Sequence, residues 1–377
     1  MSYWFPWTPD SGGGVVQWDV ISERFEWVRA MRGVPQEARW HAEGDVHVHT
    51  RMVCEALVSG ETWRGADEQS RNILFAAALL HDVAKPVCTV EVDGQWTSPR
   101  HTVVGERMAR ELLAGGRAGP VPGFANRETI AKLVRYHGLP LRFTEKPDPA
   151  RAVIECAMHV SPRVLAALVT ADVLGRECAD KGEMLASLEM FTQFAGEMGC
   201  ADGPAKFESA HHRFMYFVGG KSREYVPFDD TKFEVVLLSG LPGSGKSTWV
   251  RGRAAGRAVI SPDEIRAELG VDPGDAAEQG RVGQVARDRA KELLRAGKSF
   301  VWDATNTSKD MRAQLVALCA GYGAFVRIVY VEAPWGEMLA RNRARKNAVP
   351  ESVMGRLMAR LEVPSATEAH EVEFVVS

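Results

Sequence analysis

The chain has 377 residues, of which 45% are hydrophobic and 25% charged, with a formal net charge of −3. These values describe a folded globular chain of about two domains, and no apolar run reaches the roughly 18 residues of a membrane span. Charge alone does not announce nucleic-acid binding: 21 basic side chains stand against 18 acidic ones from Thr231 onward, and 25 against 31 before it. The six cysteines (Cys54, Cys88, Cys156, Cys178, Cys200, Cys319) include no Cys-x-x-Cys pair. A disulfide framework or cysteine zinc site is therefore not expected, and a reducing cytoplasm is. Met1–Asp10 is aromatic without a basic start, so no signal peptide is expected.

Residues 1–40 are rich in tryptophan and read as a helical extension. Apolar residues then recur at helical spacing over Val46–Val58, Asn72–Leu80, Val103–Leu113, Glu128–Tyr136 and Arg163–Leu174. Val87–Val92 is the best short strand of this half. On or beside the helices lie His49, His81-Asp82, His101, His137 and Asp172. A His-Asp doublet alone is a weak signal. The ordered set of imidazoles and carboxylates, without sulfur, suits Mn²⁺, Fe, Co²⁺, Ni²⁺ or Zn²⁺. Such an ion lowers the pKa of bound water and polarises a phosphoryl oxygen. Lys85 could hold a second phosphate oxygen.

A boundary is expected near Gly219–Asp230, giving domains over 1–225 and 231–377. The second half changes rhythm: Glu234–Ser239, Ala258–Ile260, Ser299–Trp302 and Phe325–Val331 read as strands separated by helices, hence a parallel α/β sheet. Gly240-Leu-Pro242-Gly243-Ser244-Gly245-Lys246-Ser247-Thr248 follows the first strand and opens a helix. Its backbone N–H groups would close on ATP phosphates, with Lys246 on the β and γ phosphates and Ser247 on Mg²⁺. Ser261-Pro262-Asp263-Glu264 reads as a capping box after the next strand. Asp263 and Arg266 share a helix face just past a parallel strand, where open α/β sheets place ligands. A carboxylate that takes a hydroxyl proton beside an arginine that holds a phosphate suits a kinase acting on a phosphorylated alcohol. Asp303 ends the following strand and could order Mg²⁺ or its waters. Arg341 and Arg345, within the basic run Arg341–Lys346, are four apart and expected on one helix face, as a clamp for transferring phosphates.

Two resemblances rest on these residues. His49-Thr50, His81-Asp82-Val-Ala-Lys85-Pro86, His101 with Gly105, His137-Gly138 and Ala171-Asp172-Val-Leu-Gly175-Arg176 resemble HD-superfamily metal phosphohydrolases. The last two pieces resemble the HD domain appended to some tRNA nucleotidyltransferases, which acts on 2′-phosphates and 2′,3′-cyclic phosphates. The resemblance implies that His49, His81, Asp82 and Asp172 hold one metal, and that His101 and His137 hold a second or serve as acid/base groups. His41, His47, His159, His211 and His212 match nothing and read as structural or surface residues. From Val235 onward the chain resembles the 5′-hydroxyl polynucleotide kinases of the phage and bacterial RNA-repair type. That resemblance rests on Gly240–Trp249, Asp263-x-x-Arg266, Arg341-Asn-x-x-Arg345 and the lid-like Ala348–Pro350. It implies that Asp263 is the general base on the 5′-hydroxyl, that Arg266 contacts the 3′ phosphate, and that Arg345 is the lid arginine on ATP. An extra residue in Asp303-Ala-Thr305-Asn306 departs from the family and leaves Thr305 and Asn306 without an assigned role.

Together the halves resemble bifunctional HD/polynucleotide-kinase end-healing proteins over most of the chain. The expected architecture is an all-α HD domain followed by an α/β P-loop kinase with a parallel sheet and a helical lid. The expected partners are RNA or DNA ends, ATP, and a nucleic-acid ligase acting afterwards. A P-loop kinase for a small-molecule or mononucleotide acceptor, fused to an HD nucleotide phosphohydrolase, remains an alternative. So does a nucleotide-sensing regulator.

Overall fold

Apolar spacing in the first half becomes five helices: α1 (Val46–Ser59), α2 (Glu68–Leu80), α3 (His101–Ala114), α4 (Phe124–Tyr136) and α5 (Pro162–Leu174). The computed structural model describes residues 5–10, 14–254, 256–272, 274–345 and 348–377, so Lys346 lies outside the described residues. Their starts are chemically marked. Asp45, Asp67 and Ser161 accept from the backbone N–H of Val48, Ser70 and Val164, and Pro162 sits in the first turn of α5. Helix α2 is buried from Asn72 to Leu80 and forms the centre of this half. Buried Arg110 on α3 donates Nε to Glu128 on α4 (3.0 Å), while Glu106 on α3 receives Lys132 of α4 (2.8 Å). This network braces the two helices that carry His101 and His137.

One departure from all-α character is an antiparallel hairpin, β1 (Val90–Val92) with β2 (Gln95–Thr97). Val87, expected in a strand, instead lies in a helical turn, Lys85–Cys88, that has Pro86 in its first positions. The N-terminal segment packs by aromatic contacts: Trp7 meets Phe25 at 4.8 Å between ring centroids, and the Phe5 N–H donates to Asn72 Oδ1 at 2.7 Å.

The second half forms one parallel sheet of β3 (Phe233–Ser239), β4 (Ala258–Ile260), β5 (Phe300–Trp302), β6 (Ala324–Glu332) and β7 (Glu371–Val376). Their order is β4-β5-β3-β6-β7. The central strand β3, buried from Val235 to Ser239, delivers the glycine-rich loop at its C-terminal end. Strand β7 was not expected from the sequence. Its alternating Glu371-Val-Glu-Phe-Val-Val376 is short and half-exposed at the sheet edge.

The chain divides into Met1–Lys206 and Phe207–Ser377, so the second unit begins ahead of the boundary expected at Gly219–Asp230. The reason is the helix Ala210–Phe217. Its Phe214 stacks on His370 at 3.8 Å, and its Arg213 donates to the Ala366 carbonyl at 3.0 Å. His370 is also stacked on Phe325 and accepts from the Val326 N–H at 3.1 Å. These contacts tie the helix to the sheet unit.

A fully buried ion pair fixes the edge of the phosphate loop. Arg312 donates Nε and Nη2 to the two oxygens of Glu368 (2.8 and 3.1 Å), and Nη1 to the Asn306 carbonyl (3.0 Å). Glu368→Gln leaves the guanidinium buried without its counter-charge and should cost the second unit about 3–5 kcal/mol. Urea unfolding read on that unit checks this; a loss near zero contradicts it.

Candidate functional site

In the first unit, helix ends present the candidate metal ligands. His81 and His137 are the residues that close α2 and α4. Each uses Nδ1 to engage a carbonyl that the helix end leaves free: Ala78 O at 2.7 Å and Val134 O at 2.8 Å. His101, the first residue of α3, engages Ser98 O at 2.7 Å through Nδ1. His49, inside α1, has Nδ1 2.8 Å from Glu43 Oε1. For His81, His101 and His137 an acceptor at Nδ1 puts the proton there, leaving the Nε2 lone pair for a cation.

All four Nε2 atoms converge on Asp82. Oδ2 lies 3.1 Å from His81 and 3.8 Å from His49, while Oδ1 lies 3.7 Å from His101 and 3.8 Å from His137. Within each pair the Nε2 atoms are 3.4 Å apart. Asp172 Oδ1 stands 3.1 Å from His49 Nε2 and is oriented by Arg176. The structure thus brings together His49, His81, Asp82, Asp172, His101 and His137. Asp82 Oδ1 is buried with no hydrogen-bond partner among the described residues. An orphaned carboxylate oxygen facing two imidazoles fits a divalent ion, and the all-N/O donor set fits a borderline transition metal. Two triads share Asp82: His49–His81–Asp82 and Asp82–His101–His137.

Electrostatics agree with a ligand role. Burial opposes ionisation of Asp82, but Lys85 (Nζ to Oδ2 2.7 Å) and His81 outweigh it and hold the carboxyl well below its usual range. Burial pushes His137 down to about 3, so it is a neutral ligand-competent imidazole. Lys85 is itself oriented by Gln36 (2.7 Å).

Sequence reasoning missed Glu43, Gln36 and the placement of His41. Glu43 Oε1 lies 2.8 Å from both His41 and His49, and Glu43 Oε2 accepts from the Glu177 N–H at 2.9 Å. His41 packs edge-on against His49 at 4.6 Å. A Glu two residues after a His, outside any helix, carried no periodic signal. His47, two residues from His49, turns away to Ser22 Oγ (2.8 Å), as helical spacing requires.

In the second unit, the phosphate loop joins β3 to α6 (Lys246–Arg253). Gly240, Gly243 and Gly245 have φ of 147°, 80° and 112°. A Cβ at Gly240 would also strike the Val331 carbonyl, so this loop path requires glycine. Lys246 Nζ donates to the Gly240 and Leu241 carbonyls (2.8 and 3.0 Å). Burial lowers Lys246 to about 8, with Asp303 and Asp263 opposing and Arg345 adding to the shift. Burial likewise raises Asp303, against the pull of Lys246. Lys246 opens α6 after β3, while Asp303 follows β5 and Asp263 follows β4, so all three come just past the C-terminal ends of parallel strands. Ser247 and Thr248 are exposed in the first turn of α6, and Arg251 donates to Thr248 Oγ1 (3.1 Å).

The helix α7 (Pro262–Glu268) starts as expected, with Ser261 Oγ accepting from the Glu264 N–H. Asp263 pairs with Arg266 at 2.5 Å, and Gln279 orients Arg266 at 3.0 Å. Arg341 and Arg345 do not share a helix face. The helix Trp335–Arg343 stops before Arg345, and Arg341 pairs with Glu337 at 2.6 Å. Asn306 turns inward. It is buried at φ 42°, donates Nδ2 to Leu238 O (2.7 Å), and accepts from Ser239 Oγ at its carbonyl. The Thr305 carbonyl accepts from the Gly240 N–H (2.9 Å). Both residues secure the loop.

Comparison with known proteins finds two domains. A family model described as HD domain matches residues 47–158, and one described as AAA domain matches residues 235–364. Similar solved structures include a proposed kinase from Chloroflexus aurantiacus, at 17% identity and TM-score 0.34, covering 39% of this chain and 86% of that one. Kti12 from Chaetomium thermophilum, in complex with ADP-AlF3, is 18% identical at TM-score 0.30, with 38% and 88% covered. A gluconokinase from Sinorhizobium meliloti 1021 is 17% identical at TM-score 0.28, with 39% and 83% covered. The first unit therefore contains a segment that matches an HD domain, and the second a segment that matches an AAA domain and holds the phosphate loop. No single helix among the described residues is long and apolar enough to cross a membrane.

Because only Asp82 belongs to both triads, Asp82→Ala should abolish transition-metal retention, whereas His101→Ala with His137→Ala should remove part of it. Metal content of the dialysed protein by mass spectrometry checks this. Equal content in all variants contradicts the ligand assignment.

Proposed function

We propose that this protein heals both ends of a broken RNA or DNA strand. The HD half opens a 2′,3′-cyclic phosphate and removes the resulting 2′ (or 3′) phosphate. The kinase half transfers the ATP γ-phosphate to a 5′-hydroxyl. The observation that carries the reading is the coexistence, on one chain, of the Asp82-centred imidazole cluster and a phosphate loop with Asp263–Arg266 beside it. The two reactions turn a pair of ends that cannot be joined into the 3′-hydroxyl and 5′-phosphate that a nucleic-acid ligase consumes.

In the HD half, His49, His81, Asp82 and Asp172 would hold one divalent ion (Mn²⁺, Ni²⁺, Co²⁺, Zn²⁺ or Fe), and His101 and His137 with Asp82 a second. Such an ion supplies polarisation of a phosphoryl oxygen and a water of lowered pKa. Arg176 and Glu43 hold Asp172 and His49 in orientation. Lys85 is placed to meet a further phosphate oxygen. In the first reaction water adds and one ring P–O bond breaks; in the second, water releases inorganic phosphate and leaves a hydroxyl.

In the kinase half, Asp263 accepts the proton of the 5′-hydroxyl as its oxygen attacks the γ-phosphorus in line. The bond from the γ-phosphorus to the bridging oxygen breaks, and ADP departs. Lys246 and Arg345 offset the charge on the transferring group; Ser247 would hold Mg²⁺ and Asp303 would order it or its waters, which would add to that charge neutralisation. Arg266 would hold the acceptor's 3′ phosphate, and its place one helix turn from Asp263 supports a nucleotide acceptor. Arg341 would join the ATP phosphates only by leaving Glu337.

A short RNA with a 5′-hydroxyl and a 2′,3′-cyclic phosphate, incubated with ATP and each metal, tests both reactions by end-resolved mass. Asp82→Ala should lose the 3′-end reaction and keep the 5′-end one; Asp263→Ala should do the reverse, with kinase turnover down about 10²–10⁴-fold and ATP still bound. Phosphorylation of sugars or free nucleotides, with both RNA ends unchanged, would show the reading to be wrong.

A further inference from the structure

The cavity around the metal cluster is far larger than one phosphate group. It encloses about 900 Å³, near the top of the roughly 300–1,000 Å³ usual for ligand sites. Its charge is sorted by segment. The two segments that carry His101 and His137 contribute Arg100, Arg135, Arg142 and Lys146 to the lining, against one acid, Glu145. The other acids outside the cluster, Glu155, Asp180 and Glu183, come from later segments, and Asp180 is engaged by Arg39 at 3.6 Å.

The cations differ in how they are used. Lys85 and Arg176 are committed to Asp82 and Asp172, and Arg135 to Thr102 and Glu106. Arg100, Arg142 and Lys146 are exposed and have no ion-pair partner among the described residues. Arg100 holds a left-handed conformation, φ 60° and ψ 13°, immediately before His101. A non-glycine residue there costs on the order of 1–3 kcal/mol, a strain that concentrates at functional sites. Here it sets an unpaired guanidinium on the cavity lining.

We propose that Arg100, Arg142 and Lys146 form a second phosphate subsite, which holds the internucleotide phosphodiester preceding the terminal phosphate. This rests on the end-healing reading of the HD half and adds the part that tells a strand end from a free nucleoside phosphate. Guanidinium groups suit it because their planar forks match phosphate oxygens, and three unpaired cations offset a charge that the metal cluster does not reach. The terminal phosphate is hydrolysed at the cluster while the preceding one is held at the rim, so the subsite acts on binding.

The test uses the full-length protein with Mn²⁺ and two substrates: adenosine 2′,3′-cyclic phosphate, and the adenylyl-adenosine dinucleotide ending in the same cyclic phosphate. The wild type should favour the dinucleotide in kcat/KM by about tenfold or more, through KM. In the Arg142→Ala, Lys146→Ala double variant this ratio should fall to near one. The salt slope of log KM for the dinucleotide should also flatten by about 0.7, one contact's share on a single strand. Arg142→Lys with Lys146→Arg should keep the preference. A wild type without preference, or a preference that survives the alanine pair, overturns the subsite and leaves the phosphohydrolase reading standing. Hydrolysis of neither substrate overturns both. Faster consumption of a nucleoside triphosphate, with the same dependence on Arg142 and Lys146, overturns the backbone assignment in favour of a polyphosphate tail.

Discussion

A carboxylate buried among four imidazoles is the constraint on which the first unit depends. Asp82 could not remain ionised there without compensation, because burial alone would neutralise it. Lys85 supplies a positive charge at 2.7 Å on Oδ2, but Oδ1 is left facing His101 and His137 without a donor. A site of that kind is unstable as a purely protein arrangement and apt for a divalent cation. Three of those rings are held in one tautomer, His81 and His137 by helix-end carbonyls and His101 by the Ser98 carbonyl, while Glu43 lies 2.8 Å from His49 Nδ1.

The second unit is built on the opposite principle, a candidate anion site made of backbone. Glycines in left-handed conformations turn the loop after β3 back on itself, and α6 starts where the phosphates would lie. Lys246 donates to two loop carbonyls. The Arg312–Glu368 pair and the inward-facing Asn306 hold the segment after β5 against the end of β3. The two candidate sites thus rest on different physics: a buried His/Asp cluster in one unit, and a glycine-rich backbone loop with cations in the other.

Five helices of the first half were legible from apolar spacing alone; the caps Asp45, Asp67 and Ser161 emerged with the structure, as did the capped helices that begin at Pro149 and Ala210. Buried strands were legible as short apolar runs ending in loop signals. Strands β2 and β7 were not, because exposed and edge elements carry weak hydrophobic patterns, whereas β1 fell within the expected Val87–Val92 strand. The unit boundary also escaped, since the stacking of Phe214 on His370 joins residues remote in the chain.

At the sites, spacing and residue type were enough to name chemistry. A glycine-rich loop between strand and helix has few uses, and an ordered set of His and Asp without cysteine restricts the metals. These are local properties, written in consecutive residues. Convergence was not local. That Asp82 serves both imidazole pairs, that Glu43 backs His41 and His49 together, and that Arg341 faces Glu337 rather than Arg345 all depend on where helices end and cross. So does the retirement of Asn306 into the core, where it secures a loop instead of meeting a ligand. Residue identity chose the reactions open to this protein; the packing of helix ends and strand ends chose which side chains stand close enough to take part.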